Sequence, residues 1–344
     1  MVQAPPALDA CAAMDNDEEQ ELGPGGGPAE RRAGSVEAGA HGLRLDKWLV
    51  GLAPEFSRNH LQSLIERGCV SVNGQVVRTA ARKLLAGQRV EVELLPTEES
   101  RAFRAEPMAL AIVHEDAHLL VLAKPAGLVV HPAAGNWSGT LMNGLLAHHA
   151  AAANLPRAGI VHRLDKDTSG LMVVGKTLEA VTALVRMIAA REVHREYLAL
   201  VHGRLPPALV IDAPLRRDPV SRVKMAVLPG GKPARTDVYC LAQAELQGRS
   251  FSAAHCVLHS GRTHQIRVHL ASRGYPLVSD QLYGGAPALG LERQALHATR
   301  LSLTHPISGA RLVFDAPLPQ DLAESWRVAG LPDPHLPAPP FAAD

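Results

Sequence analysis

The chain has 344 residues, of which 47% are hydrophobic and 20% charged, so it is long enough for two domains with separate cores. Its net charge of +1 hides an asymmetry, because residues 1–40 hold eight acidic side chains against two arginines, which leaves the rest of the chain basic by +7. Four cysteines without a Cys-x-x-Cys pair and the lack of a membrane-length apolar run argue against a zinc site, a disulfide framework and a membrane anchor, and we expect a cytoplasmic protein.

Residues 1–42 are predicted to form a disordered acidic tail. The run Gly23–Pro28 consists of glycine and proline, and almost no large apolar side chain follows Leu22 in this part of the chain. A solvated extension is the simplest interpretation of this composition.

Residues 43–96 have the pattern of two short helices followed by a small sheet. Apolar residues from Leu45 to Leu52 recur at helical spacing, and Ser57 is a suitable N-cap for a second helix that ends at Gly68. Asn73-Gly74 lies between two valine-containing runs and predicts a tight hairpin.

The stretch RLDKWL…SRNHLQSLIERGCVSVNG within these residues resembles the S4 RNA-binding domain. The resemblance implies that the helices and the hairpin bind structured RNA through its phosphates and its shape. The predicted contacts are cationic residues outside the apolar pattern, namely Arg44, Lys47, Arg58, Arg78 and Lys83. An alternative role for the acidic tail is to mimic RNA and occupy this basic surface.

A polar linker is predicted over residues 97–106, followed by a larger domain over residues 107–328. Short strands are expected on both sides of Glu115-Asp116. The element KPAGLVVHP that follows is expected to be a loop, because its prolines lack the amide donor that a central strand needs. Further along, Thr140 and Thr177 are suitable N-caps for two helices.

The densest cluster of ionisable residues lies between two short apolar runs, Gly159–Val161 and Leu171–Val174, which are predicted strands. In the intervening loop Asp165 stands close to Arg163 and Lys166, whose positive charges would keep its carboxylate ionised. An ionised aspartate can act as a nucleophile or a base. The alternative interpretation is structural: Asp165 caps a turn and pairs with Arg163 at the surface.

The order HRLD…TSG in this loop, together with KPAGLVVHP, resembles the RluA/RluD family of RNA pseudouridine synthases. The resemblance implies an α+β fold with a mixed, largely antiparallel central sheet and flanking helices, beside a small α/β S4 domain. It implies that Asp165 is the catalytic aspartate and that no metal or organic cofactor takes part. It further implies that the partner is large-subunit ribosomal RNA or a pre-ribosomal particle, and we expect a monomer.

Two later positions match motifs of the same family. Tyr197 lies in a predicted strand, where a tyrosine is normally a core residue, but the resemblance implies that it packs against the target uracil. In SGRTHQIRVHL, Thr263 is the expected N-cap of a helix, and the cationic residues around it favour an anion site on charge alone. The resemblance implies that Arg267 pairs with Asp165, and Arg262 is a predicted RNA contact.

The implied reaction is the isomerisation of uridine to pseudouridine, in which the N-glycosidic bond breaks and the uracil is rejoined through carbon. Asp165 either forms a covalent bond or removes a ribose proton to give a glycal, and the sequence does not choose between these routes. Because the base must leave its stack, Arg163 is the candidate for steadying the flipped nucleotide. Its alternative role is the ion pair within the loop.

Two other classes of function fit parts of the sequence. One is a catalytically inactive RNA-binding ribosome-assembly factor on the same fold, and the other is a nucleoside hydrolase with Asp167 as a second acid, for which an S4-like domain has no evident use. The sequence departs from the family pattern at Arg195-Glu196 and at Ser279, where we expect effects on RNA selectivity and not on the chemistry. The proline-rich residues 329–344 are predicted to form a second tail.

Overall fold

The computed structural model describes residues 30–94, 102–133, 135–221 and 223–338. The described chain divides into two compact units: residues up to 104 together with the segment Ala133–Ser138 form the smaller one, and Ala105–Pro132 with the residues from Gly139 onward form the larger one. Residues 97–101 of the predicted linker lie outside the described residues. Glu106, at its other end, already belongs to the larger unit, where its backbone N–H donates to the carbonyl of Asn143 (3.0 Å).

The smaller unit packs two helices on a sheet with the strand order β1-β4-β2-β3. Its elements among the described residues are β1 (Glu30–Ser35), α1 (Leu45–Leu52), α2 (Arg58–Glu66), β2 (Val70–Val72), β3 (Gln75–Val76) and β4 (Arg89–Leu94). The Ser57 hydroxyl accepts the backbone N–H of His60 (3.2 Å), as expected of an N-cap. Asn73 (φ 52°) and Gly74 (φ 76°) form the tight hairpin turn. The predicted helices and hairpin are therefore confirmed.

Strand β1 contradicts the prediction that a disordered tail extends to residue 42. It pairs antiparallel with β4 along its whole length, from Glu30 opposite Leu94 to Ser35 opposite Arg89. None of its six residues is fully buried, so backbone hydrogen bonds to β4 hold the strand and no apolar pattern reveals it in the sequence. Residues 1–29 of the predicted tail lie outside the described residues.

The larger unit contains the following elements within the described residues: β5 (Ile112–Glu115), β6 (Leu119–Lys124), α3 (Leu141–His148), β7 (Ser169–Gly175), α4 (Leu178–Ala189), β8 (His194–His202), β9 (Ala208–Asp212), β10 (Leu215–Arg217), β11 (Met225–Val227), β12 (Arg235–Leu246), β13 (Arg249–Leu258), α5 (Gln265–Ser272), β14 (Leu296–Thr304), β15 (Arg311–Asp315) and α6 (Gln320–Val328). The longest of these helices, α4, has 12 residues, and none in the described chain is long and apolar enough to cross a membrane.

Most of these strands form one large sheet with the order β5-β6-β7-β14-β8-β13-β12-β9, to which β15 is added beside β14. Strands β7 and β14 pair in parallel, whereas the other neighbours described in this sheet run antiparallel. The predicted α+β architecture with a mixed, largely antiparallel sheet is confirmed. Strands β10 and β11 form a separate hairpin.

Three helix starts test the predicted N-caps of the larger unit. The Thr140 hydroxyl accepts the backbone N–H of Asn143 (3.4 Å), and the Thr177 hydroxyl accepts that of Ala180 (3.3 Å), so both predictions are confirmed. The prediction for Thr263 is wrong, because α5 begins after His264, which has a left-handed backbone (φ 54°) and no capping hydrogen bond from its side chain. The Gln265 side chain closes this turn instead, by accepting the backbone N–H of residue 262 (3.0 Å).

The parallel pair β7–β14 places the start of β7 very close to its neighbour. Gly170 has φ +119°, and a Cβ atom at this position would lie 2.1 Å from the carbonyl oxygen of Ala298. Only glycine fits such a contact. Beside it, the Ser169 hydroxyl and Nδ1 of His297 are hydrogen bonded at 2.9 Å. The Ser-Gly pair therefore fixes the end of the loop that contains Asp165.

The described part of the predicted C-terminal tail packs on the larger unit, which corrects the prediction for residues 329–338. Ala329 and Leu331 are buried in an apolar cluster with Trp326. The indole N–H of Trp326 donates to the carbonyl of Pro332 (2.8 Å), and Arg300 donates to that of Pro337. The high proline content concealed an extended segment that is held by these contacts. Residues 339–344 lie outside the described residues.

Candidate active site

A buried lysine fixes the loop that carries Asp165. Lys124 is 1% exposed, and its ammonium group donates to the backbone carbonyls of Pro125 (2.8 Å), Leu128 (2.9 Å) and Lys166 (2.9 Å). Burial lowers the pKa of Lys124 to about 8, so the group is still mostly protonated at neutral pH. The KPAGLVVHP element therefore holds the backbone immediately after Asp165.

Two further contacts hold the same loop. On one side, Nε2 of His162 accepts the backbone N–H of Val173 (3.0 Å), and burial lowers the pKa of His162 to about 3, so its ring is neutral. On the other side, Arg293 donates to the carbonyl of Asp167 (3.0 Å). Within the loop, the N–H of Thr168 donates to the carbonyl of Asp165 (3.1 Å) and closes a tight turn. The backbone at Asp165 is therefore fixed from three directions.

Arg267 joins the Asp165 carboxylate to a second carboxylate. Its Nη1 donates to Oδ2 of Asp165 (3.0 Å), which is the ion pair that the family resemblance implied. Its Nε and Nη2 donate to the two oxygens of Asp280 (2.7 and 2.8 Å), so Asp280 holds the guanidinium in a bidentate pair. The Tyr283 ring also lies against this guanidinium, whose central carbon is 5.1 Å from the ring centroid.

The electrostatic surroundings keep Asp165 ionised. Burial alone would raise the pKa of its carboxyl group, but the positive charges of His264 and Arg267 and the hydrogen bond from Arg267 lower it below the ordinary value. Burial lowers the pKa of His264 itself, so its ring is mainly neutral at physiological pH. The permanent charge of Arg267 is therefore the main reason that Asp165 is a carboxylate there.

The second oxygen of Asp165 has no hydrogen-bond donor among the described residues. Nε2 of His264 lies 3.9 Å from this oxygen, Oδ1, which is too far for a hydrogen bond. Nδ1 of His264 lies 2.7 Å from the hydroxyl of Tyr283, which itself accepts the backbone N–H of Met225 (2.9 Å). We therefore infer that the Tyr283 hydroxyl donates its hydrogen bond to Nδ1 of His264. The imidazole proton is then on Nε2, the nitrogen nearer to Asp165.

Asp165 lines an open pocket that encloses about 450 Å³ of empty space, part of which is open to solvent. Tyr197, on β8, is one of its walls and is 4% exposed. Burial raises the pKa of Tyr197 to about 12, so its hydroxyl is neutral and can donate a hydrogen bond. No group of three or more His, Cys, Asp or Glu side chains in the described chain is placed to hold a metal ion.

Two predicted RNA contacts, Arg163 and Arg262, also line this pocket. Arg163 is exposed, and it forms no ion pair with Asp165 in the described structure, because Arg267 takes that place. The alternative role that we considered for Arg163, an ion pair within the loop, is therefore absent. Arg262 is half-buried, and its Nε donates to the carbonyl of Pro233 (3.4 Å).

The predicted RNA contacts of the smaller unit fall into two groups. Arg44 and Arg58 donate to the fully buried carboxylate of Asp46, at distances of 2.7–3.2 Å. Arg78 donates to the carbonyl of Glu66 (2.9 Å) and completes the end of α2. Lys47 and Lys83 are exposed, and their ammonium groups have no partner among the described residues.

Comparisons with known proteins agree with this arrangement. Residues 118–272 match the family model described as RNA pseudouridylate synthase, and residues 43–90 match that of the S4 domain. A protein of Nitrosomonas europaea named "Ribosomal large subunit pseudouridine synthase D" is 49% identical over 293 residues, which cover 82% of this chain and 83% of that protein. The chain belongs to the RNA pseudouridine synthase family.

Other relatives of this pseudouridine synthase have comparable similarity. A Pasteurella multocida protein with the same name is 44% identical over 296 residues, which cover 82% of this chain and 90% of that protein. The solved structure "Human RNA Pseudouridylate Synthase Domain Containing 4" superposes with a TM-score of 0.52 and 26% identity, and covers 65% of this chain and 95% of that structure.

Several residues that organise the site of this pseudouridine synthase were not predicted. Lys124 lies in a motif that was predicted only to be a loop, and Asp280 directly follows Ser279, where only an effect on RNA selectivity was expected. Tyr283 could have been found by its rarity, because the chain has four tyrosines. Their roles depend on contacts across long stretches of sequence, which no local spacing reveals.

Proposed function

We propose that this protein isomerises uridine to pseudouridine in large-subunit ribosomal RNA, with Asp165 as the catalytic residue. The observation that carries the proposal is the state of the Asp165 carboxylate, in which one oxygen is held by Arg267 and the other faces an open pocket beside Tyr197. The choice of RNA comes from the relatives, which are named for the ribosomal large subunit.

The residues of the pocket have distinct roles in this proposal. Asp165 acts at the ribose of the flipped nucleotide, as a nucleophile or as the base that removes a ribose proton. Arg267 keeps it ionised and aimed, with Asp280 holding the guanidinium. Tyr197 packs against the uracil, and the exposed Arg163 steadies the flipped nucleotide. The reaction consumes no cofactor, since the glycosidic bond that breaks and the carbon–carbon bond that forms join the same two fragments.

The smaller unit binds the RNA in this proposal, and the larger unit performs the chemistry. Lys47 and Lys83 supply charge that is free to reach phosphates, and Arg44, Arg58 and Arg78 contribute with the part of each guanidinium that is exposed. In the larger unit, Arg262 contacts the RNA at the pocket. The enzyme acts as a monomer in the cytoplasm, where ribosomal RNA is available before and during subunit assembly.

The decisive experiment incubates the purified protein with transcripts of large-subunit ribosomal RNA and maps pseudouridine at each position. We expect conversion at one or a few uridines, and none with the Asp165→Asn variant, which should bind the RNA within a few-fold of the unaltered protein. RNA binding without any conversion would favour the inactive assembly factor. Release of free uracil would favour the hydrolase.

Comparing ribosomal RNA from a strain that lacks the protein with RNA from its parent then identifies the positions modified in the cell. Sites lost in the deletion strain and restored by the unaltered gene, but not by Asp165→Asn, are the natural targets. No lost site in either comparison would overturn the proposal.

A further inference from the structure

Arg195 is a buried cation without a partner among the residues that the structure describes. It lies on β8, it is 6% exposed, and its side chain forms no hydrogen bond or ion pair with any described residue. Its Nε atom is buried and unsatisfied. A buried donor that has lost water without gaining an acceptor is costly, and the cost is larger for a charged group.

The neighbouring carboxylates are already engaged elsewhere. Glu196 is adjacent in sequence, but successive side chains of a strand point to opposite faces, and its carboxylate pairs with His255 (2.8 Å). Asp165 is held by Arg267. Burial accordingly lowers the pKa of Arg195, against an opposing effect from Tyr197. The buried Arg267 and the partly buried Arg300 differ, because each of them holds a carboxylate.

The Arg195 side chain faces the pocket that contains Asp165. Arg195 and Tyr197 are two residues apart on β8, so both side chains lie on one face, and both line the pocket. The turn at Gly261 leaves room for the guanidinium, because a Cβ atom at Gly261 would lie 2.7 Å from Nη1 of Arg195. An acceptor that enters this pocket would meet an arginine whose donors are free.

We propose that Arg195 donates a hydrogen bond to a carbonyl oxygen of the target uracil and stabilises the negative charge that this base acquires when the glycosidic bond breaks. The inference rests on the proposed isomerisation and gives Arg195 a catalytic role, whereas from the sequence we expected it to affect RNA selectivity alone. When the bond between C1′ and N1 breaks, its electron pair stays on the uracil and spreads from N1 to O2 and O4. The ring then turns and C5 bonds to C1′, after which C5 loses its proton and N1 gains one, so the reaction is balanced without a co-reactant.

A carbonyl oxygen of the base fits this position better than a phosphate does. A nucleotide that flips into the pocket enters base first, so the base reaches the most buried groups and the phosphates stay near the opening. Arg195 is buried, whereas Arg163 is exposed and Arg262 is half-buried. The exposed Arg163 remains available to the phosphates. A fixed donor that meets charge as it develops is a strong catalytic device, because no solvent has to reorganise around it.

The test compares Arg195→Met with the unaltered protein under single-turnover conditions, using a short RNA that contains a mapped target uridine. The same RNA is also made with 2-thiouridine or 4-thiouridine at that position, since sulfur is the weaker hydrogen-bond acceptor. We expect Arg195→Met to lower the rate on uridine by about 10²–10³-fold, as removal of an oxyanion-hole donor does. One of the thio substitutions should slow the unaltered protein but have little further effect on Arg195→Met.

Gly261→Ala provides a second variant, because the added methyl group displaces the guanidinium without removing its charge. It should lose the same coupling to the thio substitution. Arg300→Met is the matched control, since it removes an arginine that holds Asp315 outside the pocket. It should lower the melting temperature and preserve the rate. Arg195→Met should melt at the same temperature as the unaltered protein or above it, which a purely structural arginine would not allow.

Three results would overturn the inference. The first is a rate for Arg195→Met within threefold of the unaltered protein, and the second is strict additivity of the variant with both thio substitutions. The third is coupling to a methylphosphonate at the target phosphate in place of the base, which would assign Arg195 to the backbone. If the unaltered protein itself makes no pseudouridine, the proposed function fails and not this inference alone.

Discussion

Each of the two units surrounds one aspartate with cationic and polar donors, but the two carboxylates differ in how many hydrogen bonds they accept. In the smaller unit Asp46 is fully buried, and its carboxylate accepts from Arg44, Arg58, Gln62 and the N–H of Lys47. In the larger unit the Asp165 side chain is 15% exposed and, within the described chain, accepts one hydrogen bond, from Arg267. One carboxylate has no lone pair to spare, and the other keeps an oxygen directed at a pocket.

Donors close to Asp165 form their hydrogen bonds with other acceptors. Asp280 takes two donors of Arg267, and the backbone of the loop is held by Lys124 and not by the Asp165 side chain. Both aspartates have a lowered pKa although burial opposes the shift. At Asp46 the hydrogen bonds from Arg44 and Arg58 lower the pKa, and at Asp165 the nearby positive charges lower it. A depressed pKa therefore does not distinguish a reactive carboxylate from a structural one, whereas an unshared oxygen does.

The largest expected difference between the two aspartates appears when each is changed to asparagine. Asp165→Asn should lower the rate of pseudouridine formation by roughly 10³-fold or more, because the group that attacks or removes a proton is lost. Asp46→Asn should leave the rate at saturating RNA unchanged and lower the free energy of unfolding by about 1–3 kcal/mol, since Arg44 and Arg58 are partly solvated and recover some hydration. Single-turnover rates and chemical denaturation measure the two effects. Equal loss of activity in both variants would contradict the contrast.

The pH dependence of Arg267→Met sharpens the comparison further. Arg267 lowers the pKa of Asp165, and burial opposes it, so removing the cation leaves burial to raise the pKa. The ionised form is the active one, so the acid limb of kcat should move to higher pH in the variant, with a loss of about 10–100-fold at neutral pH. The unaltered protein should show no titration of this group between about pH 5 and pH 8. A variant whose profile shifts to lower pH would contradict the sign.

Lys124→Met tests whether hydrogen bonds to the loop backbone, and not bonds to the Asp165 carboxylate, keep the Asp165 loop rigid. Methionine has a similar length but leaves three carbonyl oxygens without their donor, one of them at Lys166 beside Asp165. We expect a lower free energy of unfolding, by about 2–4 kcal/mol, and a several-fold lower kcat with unchanged RNA affinity. Lys176→Met is the control. The Lys176 ammonium group pairs with Glu115 and donates to the carbonyl of Asp116, and neither partner belongs to the loop that contains Asp165. It should lose stability and keep kcat.

Local patterns predicted the elements well and the contacts between them poorly. The caps at Ser57, Thr140 and Thr177 were predicted because a hydroxyl three residues before a backbone N–H is a local geometry. The predicted N-cap at Thr263 was wrong although its side chain has the same chemistry. The side-chain amide of Gln265 donates to the distant Arg235 and Thr236, and this orients the Gln265 side chain to close the turn. A sequence window cannot contain that competition.

The tails failed for a related reason. Strand β1 and residues 329–338 have little apolar patterning, so their composition predicted disorder. Both are held by partners far along the chain, β1 by the backbone of β4 and the C-terminal segment by Trp326 and Arg300. At the site, the pair formed by Asp165 and Arg267, 102 residues apart, was accessible through the family resemblance. Asp280 was not found, because nothing nearby marks its role.

The smallest expected effect concerns the exposed cations of the smaller unit. Lys47→Ala combined with Lys83→Ala should weaken RNA binding by a few-fold and reduce the salt dependence of affinity by about one to two ions, because each phosphate contact releases close to one counterion. The rate at saturating RNA should not change. Removing residues 1–95 should act in the same direction and more strongly. Arg89→Ala is the control, since this exposed arginine is already paired with Glu91. A lower kcat without a change in affinity would place these lysines in the chemistry instead of in RNA capture.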